Sequence, residues 1–242
     1  MSSTTWTPAA VASEGRRWQG NVWRAIEAQH RVSTLRLVDT LEEQAQLEAL
    51  LETSKPALPV TAAPRHYLLL TPFRYPARHP GGSRFRAVSD GGVFYGADER
   101  RTACAELGYW RWRFLMDSPA LPRLAPLLHT LFQSEVAGLA IDLRQPPFSA
   151  QAHRWTASQD YGACQQLGAL ARKAGIELIR YQSVRDPQAG ACTAVLTPEA
   201  FTAAPLTEQT WRLTVTRQRV QWQRDSMLQP ESLEFLADWD HT

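Results

Sequence analysis

Val93-Phe94-Tyr95, then Gly96-Ala97-Asp98, then Glu99-Arg100-Arg101-Thr102-Ala103-Cys104-Ala105-Glu106 and on to Met116 follow one another without a break. The apolar triplet reads as a short buried strand. Gly96 and Asp98 end it, and Asp98 is placed to cap a helix from Glu99 to about Met116. On that helix Ala103, Leu107, Trp110 and Phe114 recur at helical spacing as one apolar stripe, with Glu106 at its edge. An unpaired carboxylate among Ala103, Cys104, Ala105 and Leu107 is costly to bury, so Glu106 either pairs with an arginine or serves a site.

Upstream, Tyr67-Leu68-Leu69-Leu70 reads as a second buried strand that delivers Arg74 and Tyr75 into a loop. The loop, Ala77 to Gly92, is rich in Gly, Pro and Ser and carries Arg78, Arg84 and Arg86; loops this long in compact domains are often functional. Farther back, Thr40-x-x-Glu43 has the spacing of a capping box and Leu47, Leu50 and Leu51 continue a helix that should stop near Ser54. Pro56, Pro59 and Pro64 mark a linker. Met1 to Arg36 predicts a helix from about Glu14 to His30, and Trp6, Trp18 and Trp23 there need covering.

Downstream, Leu139 to Leu143 is a strand and Ala157 to Lys173, with Gly175 behind it, a helix. Glu177 to Tyr181 and Cys192 to Leu196 are strands flanking a polar loop with Ser183, Arg185 and Asp186. Trp211, Leu213 and Val215 alternate, as do Val220 and Trp222, which predicts a hairpin. An acidic end follows, with Asp225, Glu231, Glu234, Asp238 and Asp240 facing Arg224; it reads as a solvated or partly ordered tail. Strands and helices without strict alternation favour α+β.

The chain has 242 residues, 44% hydrophobic and 21% charged, enough for a sizeable core in one or two domains. No run approaches the roughly 18 apolar residues of a membrane span, and Met1 to Ser13 lacks the pattern of a secretory signal, so a cytoplasmic location is expected. A net charge of +2 does not point to nucleic acid. Of 26 basic residues only Lys55 and Lys173 are lysine, leaving 24 arginines; arginine suits phosphate and carboxylate ligands, although a codon bias gives the same count. Cys104, Cys164 and Cys192 are widely spaced and read as core residues, with neither a disulfide framework nor a zinc site. His66, His79, His129 and His153 are scattered and read as surface or core hydrogen-bonding groups.

One constellation stands out: Arg74, Arg78, Arg84 and Arg86, Tyr95 ending a strand, Glu106 on the next helix, and Ser183 with Arg185. Each has a plainer reading, as a paired structural glutamate, a core tyrosine with one wet edge, or a turn serine. Together, Gly82-Ser83-Arg84-Phe85-Arg86, Gly92-Val93-Phe94-Tyr95-Gly96, Thr102-Ala103-Cys104-Ala105-Glu106 and Arg180-Tyr181-Gln182-Ser183-Val184-Arg185 resemble the RES-domain family, which is named for an arginine, a glutamate and a serine in this order. Arg84, Tyr95 and Glu106 stand eleven residues apart in succession, as that pattern has them. Leu68 to Tyr75 resembles longer members, as does Leu37-Val38-Asp39 with Glu42-Glu43-Gln44.

The resemblance implies an ADP-ribosyltransferase-like mixed sheet with flanking helices and an enzyme that degrades NAD. NAD is then a substrate, no cofactor or metal is needed, and inorganic phosphate is the acceptor in a phosphorylase; ADP-ribosyl transfer, hydrolysis, and a non-catalytic NAD- or partner-binding module are the alternatives. It implies Arg84, Tyr95, Glu106 and Ser183 as catalytic residues and Arg74, Tyr75, Arg86 and Arg185 as substrate-binding ones. Family habit also implies a toxin paired with a helix-turn-helix antitoxin, and leaves a homo-oligomer open. The expected organisation is a helical extension over 1–60, a catalytic domain over 61–204, and a hairpin-like extension with its tail over 205–242. Gly190-Ala191-Cys192-Thr193 and Arg86 depart from the family pattern.

Overall fold

The computed structural model describes residues 6–28, 40, 42–43, 46–47, 50, 66–77 and 79–239. Its spine is a strand of 20 residues, β3 (Arg123–Asp142). Along one edge β3 pairs antiparallel with β1 (Arg16–Glu27), from His129 to Ala140. Along the other it pairs first with β6 (Thr207–Thr216) and then, in parallel, with β4 (Leu178–Gln182). Short strands β2 (Phe94–Ala97) and β5 (Ala191–Val195) continue from β4, and β2 returns to β1 through Trp23 opposite Ala97. β7 (Arg219–Arg224) and β8 (Ser232–Leu236) extend the sheet beyond β6. The architecture is α+β, with one eight-stranded mixed sheet ordered β1-β2-β5-β4-β3-β6-β7-β8 and helices flanking it.

The helices whose bounds fall within the described residues are α1 (Pro8–Ser13), α2 (Tyr67–Arg74), α3 (Arg100–Met116), a single turn α4 (Ala152–Trp155) and α5 (Gly162–Lys173). α3 packs on β6–β8 through Trp112, Trp211, Trp222, Phe235 and Trp239, all buried. α5 covers the opposite end of the sheet with Phe85, Tyr181 and Cys192 beneath it, and α2 closes a third cluster around Phe94, Phe132 and Phe201. All three cysteines are buried and free.

Several elements differ from the sequence reading. Residues 16–27 are a strand, not part of a helix, because twelve residues of β1 find partners on β3, a pairing no local pattern reports. The N-terminal tryptophans are covered by guanidinium groups and by another ring: Trp18 by Arg180 at 4.1 Å, Trp23 by Arg100 at 5.4 Å, and Trp6 stacked on Phe148 at 4.2 Å. Tyr67–Leu70 opens a helix instead of forming a strand; three successive leucines carry no period, and His66 caps the turn by accepting from the Leu68 N–H. The helix after Tyr161 starts at Gly162, five residues later than expected, and ends as foreseen with Gly175 at φ +70°.

The stripe on α3 is set differently too. Trp110 and Phe114 are 45% and 56% exposed, while Cys104, Ala105, Gly108, Tyr109, Trp112 and Leu115 face the sheet. Small residues let the helix lie close: a Cβ on Gly108 would come within 2.8 Å of Val220 Cγ1. Asp98 does not cap α3. Glu99 holds that position, and Asp98 takes a two-pronged ion pair from Arg180 at 3.0 and 2.6 Å. The expected hairpin forms as β6 and β7, but the acidic tail is ordered as β8, with Glu231 paired to Arg100 at 3.1 Å and Glu234 taking a hydrogen bond from Gln221.

The capping box is in place, with Thr40 Oγ1 accepting from Glu43 N–H and Glu43 Oε2 from Thr40 N–H. The proline linker, the helix end near Ser54 and Arg78 lie outside the described residues, as does Asp240. Among the described residues no helix is long and apolar enough to cross a membrane.

Candidate active site

Three elements converge at the C-terminal end of β4. β4 ends at Gln182 and hands Ser183 to a tight loop; α3 presents Glu106 from its second turn; the loop 83–86 lies between β2 and α5. Ser183 Oγ donates to Glu106 Oε1 at 2.6 Å, the short distance of a charge-assisted bond. The same Oγ accepts from the N–H groups of Arg185 and Asp186, both at 3.1 Å, so the hydroxyl proton is directed at the carboxylate. The serine thus loses its rotational freedom to its own loop.

Burial pushes the Glu106 carboxyl above the usual carboxylate range; the Ser183 bond and the charges of Arg84 and Arg185 pull against that rise, and Asp186 adds to it. Glu106 is therefore a carboxyl group held in a buried site whose two arginines lie close enough to act on it. Burial likewise pushes the Tyr181 phenol and the Cys192 thiol upward, so both stay neutral beside it.

Arg84 is buried, and its Nη1 donates to the carbonyls of Trp155 at 2.8 Å and Ala157 at 3.0 Å, with the Tyr161 ring 4.7 Å from its guanidinium carbon. Burial opposes its charge, but the groups around it, Tyr161, Cys164, Tyr181 and Glu106, raise its pKa on balance, with Glu106 the only carboxyl among them. Arg185, also buried, lies 3.4 Å over the Tyr109 ring and donates to the Ser158 carbonyl and, at 3.4 Å, to the Tyr161 hydroxyl. Tyr161 therefore bridges the two arginines.

Tyr95 serves the loop: its hydroxyl bonds Ser83 Oγ at 2.8 Å and accepts from the Phe85 N–H at 3.0 Å, which fixes the backbone on both sides of Arg84. Arg86 and Tyr75 are placed elsewhere. Arg86 donates to the carbonyls of Tyr75 at 2.9 Å and Asp90 at 3.3 Å, stapling the loop base to the end of α2, and Arg74 closes the last turn of that helix. The structure brings together Arg84, Glu106, Ser183 and Arg185, with Tyr95 behind them.

Sequence reasoning missed Tyr109, Tyr161, Thr102 and the part played by Asp186. Thr102 stands one helical turn before Glu106 and donates to Asp186 Oδ2 at 2.8 Å, tying α3 to the Ser183 loop a second time. That spacing was readable; the tyrosines, from separate elements, had no local signal. Gly190 closes the loop where a Cβ would sit 2.1 Å from Thr102 Oγ1.

Outside this cluster a groove of about 650 Å³ runs along α3, lined by Tyr109, Trp110, Arg113 and Phe114 on one side and by Ser158, Tyr161 and Gln165 on the other. Tyr109 and Tyr161, which carry the two site arginines, both line it. Among the described residues no group of three or more His, Cys, Asp or Glu side chains is arranged for a metal ion. His79 accepts from Gly81 N–H at 3.0 Å and His129 is buried beside Trp222, in the structural roles expected of them.

The crystal structure of the M. tuberculosis MbcT-MbcA toxin–antitoxin complex contains a chain similar to this one, with a TM-score of 0.51 and 13% identity, covering 87% of this chain and 92% of that one. The two share a fold. No curated protein matches the chain. The model of the RES domain matches residues 58–216, more than half of the sequence and the segment that holds Arg84, Tyr95, Glu106 and Ser183, and the chain belongs to the RES-domain family.

Proposed function

We propose that this protein is an NAD-degrading enzyme that cleaves the nicotinamide–ribose bond with inorganic phosphate as acceptor, and that it is the toxin of a toxin–antitoxin pair. The observation that carries the reading is the 2.6 Å bond from Ser183 to Glu106 between two buried arginines. Family membership and the fold shared with a toxin–antitoxin chain support it.

As the C1″–N bond breaks, its electron pair goes to the pyridine nitrogen, nicotinamide leaves neutral, and positive charge develops on the ribose. The Glu106 carboxylate stabilises that charge and holds the ribose hydroxyls, as a carboxylate does in glycoside cleavage generally. A phosphate oxygen then bonds C1″ to give ADP-ribose 1″-phosphate. Ser183 keeps Glu106 oriented and, by hydrogen bonding to the ionised form, keeps it more acidic than burial alone would leave it. Arg84 and Arg185 supply fixed positive charge for the phosphates, held by tyrosine rings and backbone carbonyls so that little reorganisation is needed. The groove along α3 has room for the rest of the dinucleotide, with Trp110 as an exposed aromatic face at its edge.

The test is NAD consumption by the purified chain with and without inorganic phosphate, with products identified by mass. Phosphate-dependent loss with ADP-ribose phosphate formed is the expected result. Phosphate-independent loss gives hydrolysis or transfer instead, and no loss at all leaves a binding module. An antitoxin of helix-turn-helix type is the expected protein partner, and co-expression that relieves growth arrest checks it.

A further inference from the structure

The matched family segment ends at residue 216, yet the loop carrying Ser183 and Arg185 is held by a residue well beyond it. Trp239 is 5% exposed, and its indole N–H donates to the Arg185 carbonyl at 2.8 Å. Its ring meets Tyr109 edge-on at 5.6 Å and Trp112 at 5.4 Å. Tyr109 in turn supports the Arg185 guanidinium at 3.4 Å. One side chain therefore fixes Arg185 at both ends, by its carbonyl and through the ring beneath its charge. The strand leading to it, β8, is anchored on β7 and delivers it there.

We propose that Trp239 is a positioning residue for the candidate site: the C-terminal strand uses its indole to lock the Ser183–Arg185 turn against α3, and so sets the Ser183–Glu106 hydrogen bond. Its effect on catalysis rests on the proposed NAD chemistry; its effect on the loop does not. The Arg185 carbonyl it binds belongs to the residue whose own N–H holds Ser183 Oγ. With no donor at 239 that carbonyl is left buried and unsatisfied, and the turn must shift to reach water or another partner. Ser183 then holds Glu106 less well. Since that bond favours the ionised carboxylate, loosening it moves Glu106 ionisation to higher pH. The groups facing Glu106 are Arg84, Ser183, Arg185 and Asp186 from the two loops, and Tyr181 and Cys192 from β4 and β5; a variant at 239 replaces none of them, so a change in Glu106 ionisation reports the displaced turn.

The test is Trp239→Phe in the full chain, which keeps an aromatic ring and removes the donor; if it does not fold, β-(3-benzothienyl)alanine at 239 keeps the whole shape and removes the N–H alone. Amide hydrogen exchange of the 183–190 segment is measured first, because it needs no substrate. The expected result is exchange of the Arg185 and Asp186 amides faster by about tenfold, with the strand amides of β4 and β5 unchanged. In NAD turnover the expected result is a fall in kcat larger than any change in KM, with the acid limb of the pH profile moved to higher pH. Unchanged exchange in that segment overturns the proposal, as does a variant that is merely less heat-stable with the parent's pH profile. If the parent itself leaves NAD intact, the proposed function fails while the exchange result still decides the role of Trp239.

Discussion

Replacing Glu106 by Gln removes one charge from the centre of the site and leaves its shape. The amide keeps an oxygen where Oε1 accepts from Ser183, so the 2.6 Å contact relaxes to an ordinary hydrogen bond and is not lost. What disappears is the attraction between a carboxylate and the positive charge developing on the ribose. At a separation of about 5 Å and an effective dielectric of about 20, that attraction is about 3 kcal/mol, or roughly 10²-fold in rate. Folding stability should move the other way. A carboxyl whose folded pKa lies above its unfolded value favours the native state below the unfolded value and loses that contribution as pH rises through the folded one. Neutral pH lies above the unfolded value, so burying this group is a cost there, and Glu106→Gln should melt at the parent's temperature or slightly above it. The assay is kcat/KM for NAD cleavage at saturating phosphate, paired with a thermal melt. Activity within threefold of the parent, in a variant that melts normally, would refute the reasoning and take Glu106 out of the mechanism.

Arg84→Lys should lower stability as well as activity: a lysine has no planar guanidinium to lie on the Tyr161 ring while its Nη1 reaches both the Trp155 and Ala157 carbonyls, so stability falls by about 2 kcal/mol or about 4–8 °C in a melt; a variant that loses activity alone would assign Arg84 to ligand binding only. Gly190→Ala places a Cβ 2.1 Å from Thr102 Oγ1 and should break the Thr102–Asp186 bond, with a stability loss of about 2 kcal/mol by urea titration. His129 is fully buried, with Nε2 lacking a partner, and burial pulls its pKa below the ordinary value against the backbone bond to Leu127. A neutral native histidine contributes stability above the unfolded pKa and loses it as pH falls toward the folded one, so stability should drop on acidification from about pH 6.5. In His129→Leu the slope of stability against pH should be shallower there, and an unaltered slope would count against this.

What the sequence disclosed followed the range over which each feature is specified. β2 and α3 were readable because a strand, a turn and a helix are set by neighbours. β1 was misread because its character comes from β3, with Trp23 paired to Gln133. The apolar stripe was set on large residues, while the true contact of α3 uses Cys104, Ala105 and Gly108, whose small size lets the backbone approach. At the site, Glu106 and Ser183 are 77 residues apart and were joined only through the motif order, not through any periodicity. Arg86 and Tyr75 matched in type, yet the loop base absorbs the Arg86 guanidinium. Tyr161 and Trp239 reach the site from elements on which nothing local marks them.

The arginine surplus also takes a definite meaning. Arginine in such numbers suggested phosphate ligands, but most of the buried or half-buried guanidinium groups are tied to the protein itself. Arg180 grips Asp98, Arg101 meets Asp186 at 3.4 Å and covers Phe235, Arg100 reaches Glu231 and Gln209, and Arg172 donates to the Phe85 carbonyl. The Arg100 and Arg101 contacts fasten α3 to the start and the body of β8 on one side and to the Ser183 loop on the other, so the helix bearing Glu106 is held from both directions. Arg84 and Arg185 use the same means, carbonyls and tyrosine rings, but they lie where their charge acts on Glu106. A guanidinium already fixed by backbone and ring cannot swing toward a bound phosphate. It can present a charge in a place that does not change when substrate arrives, and such preorganised charge is what a reaction building positive character on a ribose beside two phosphates requires.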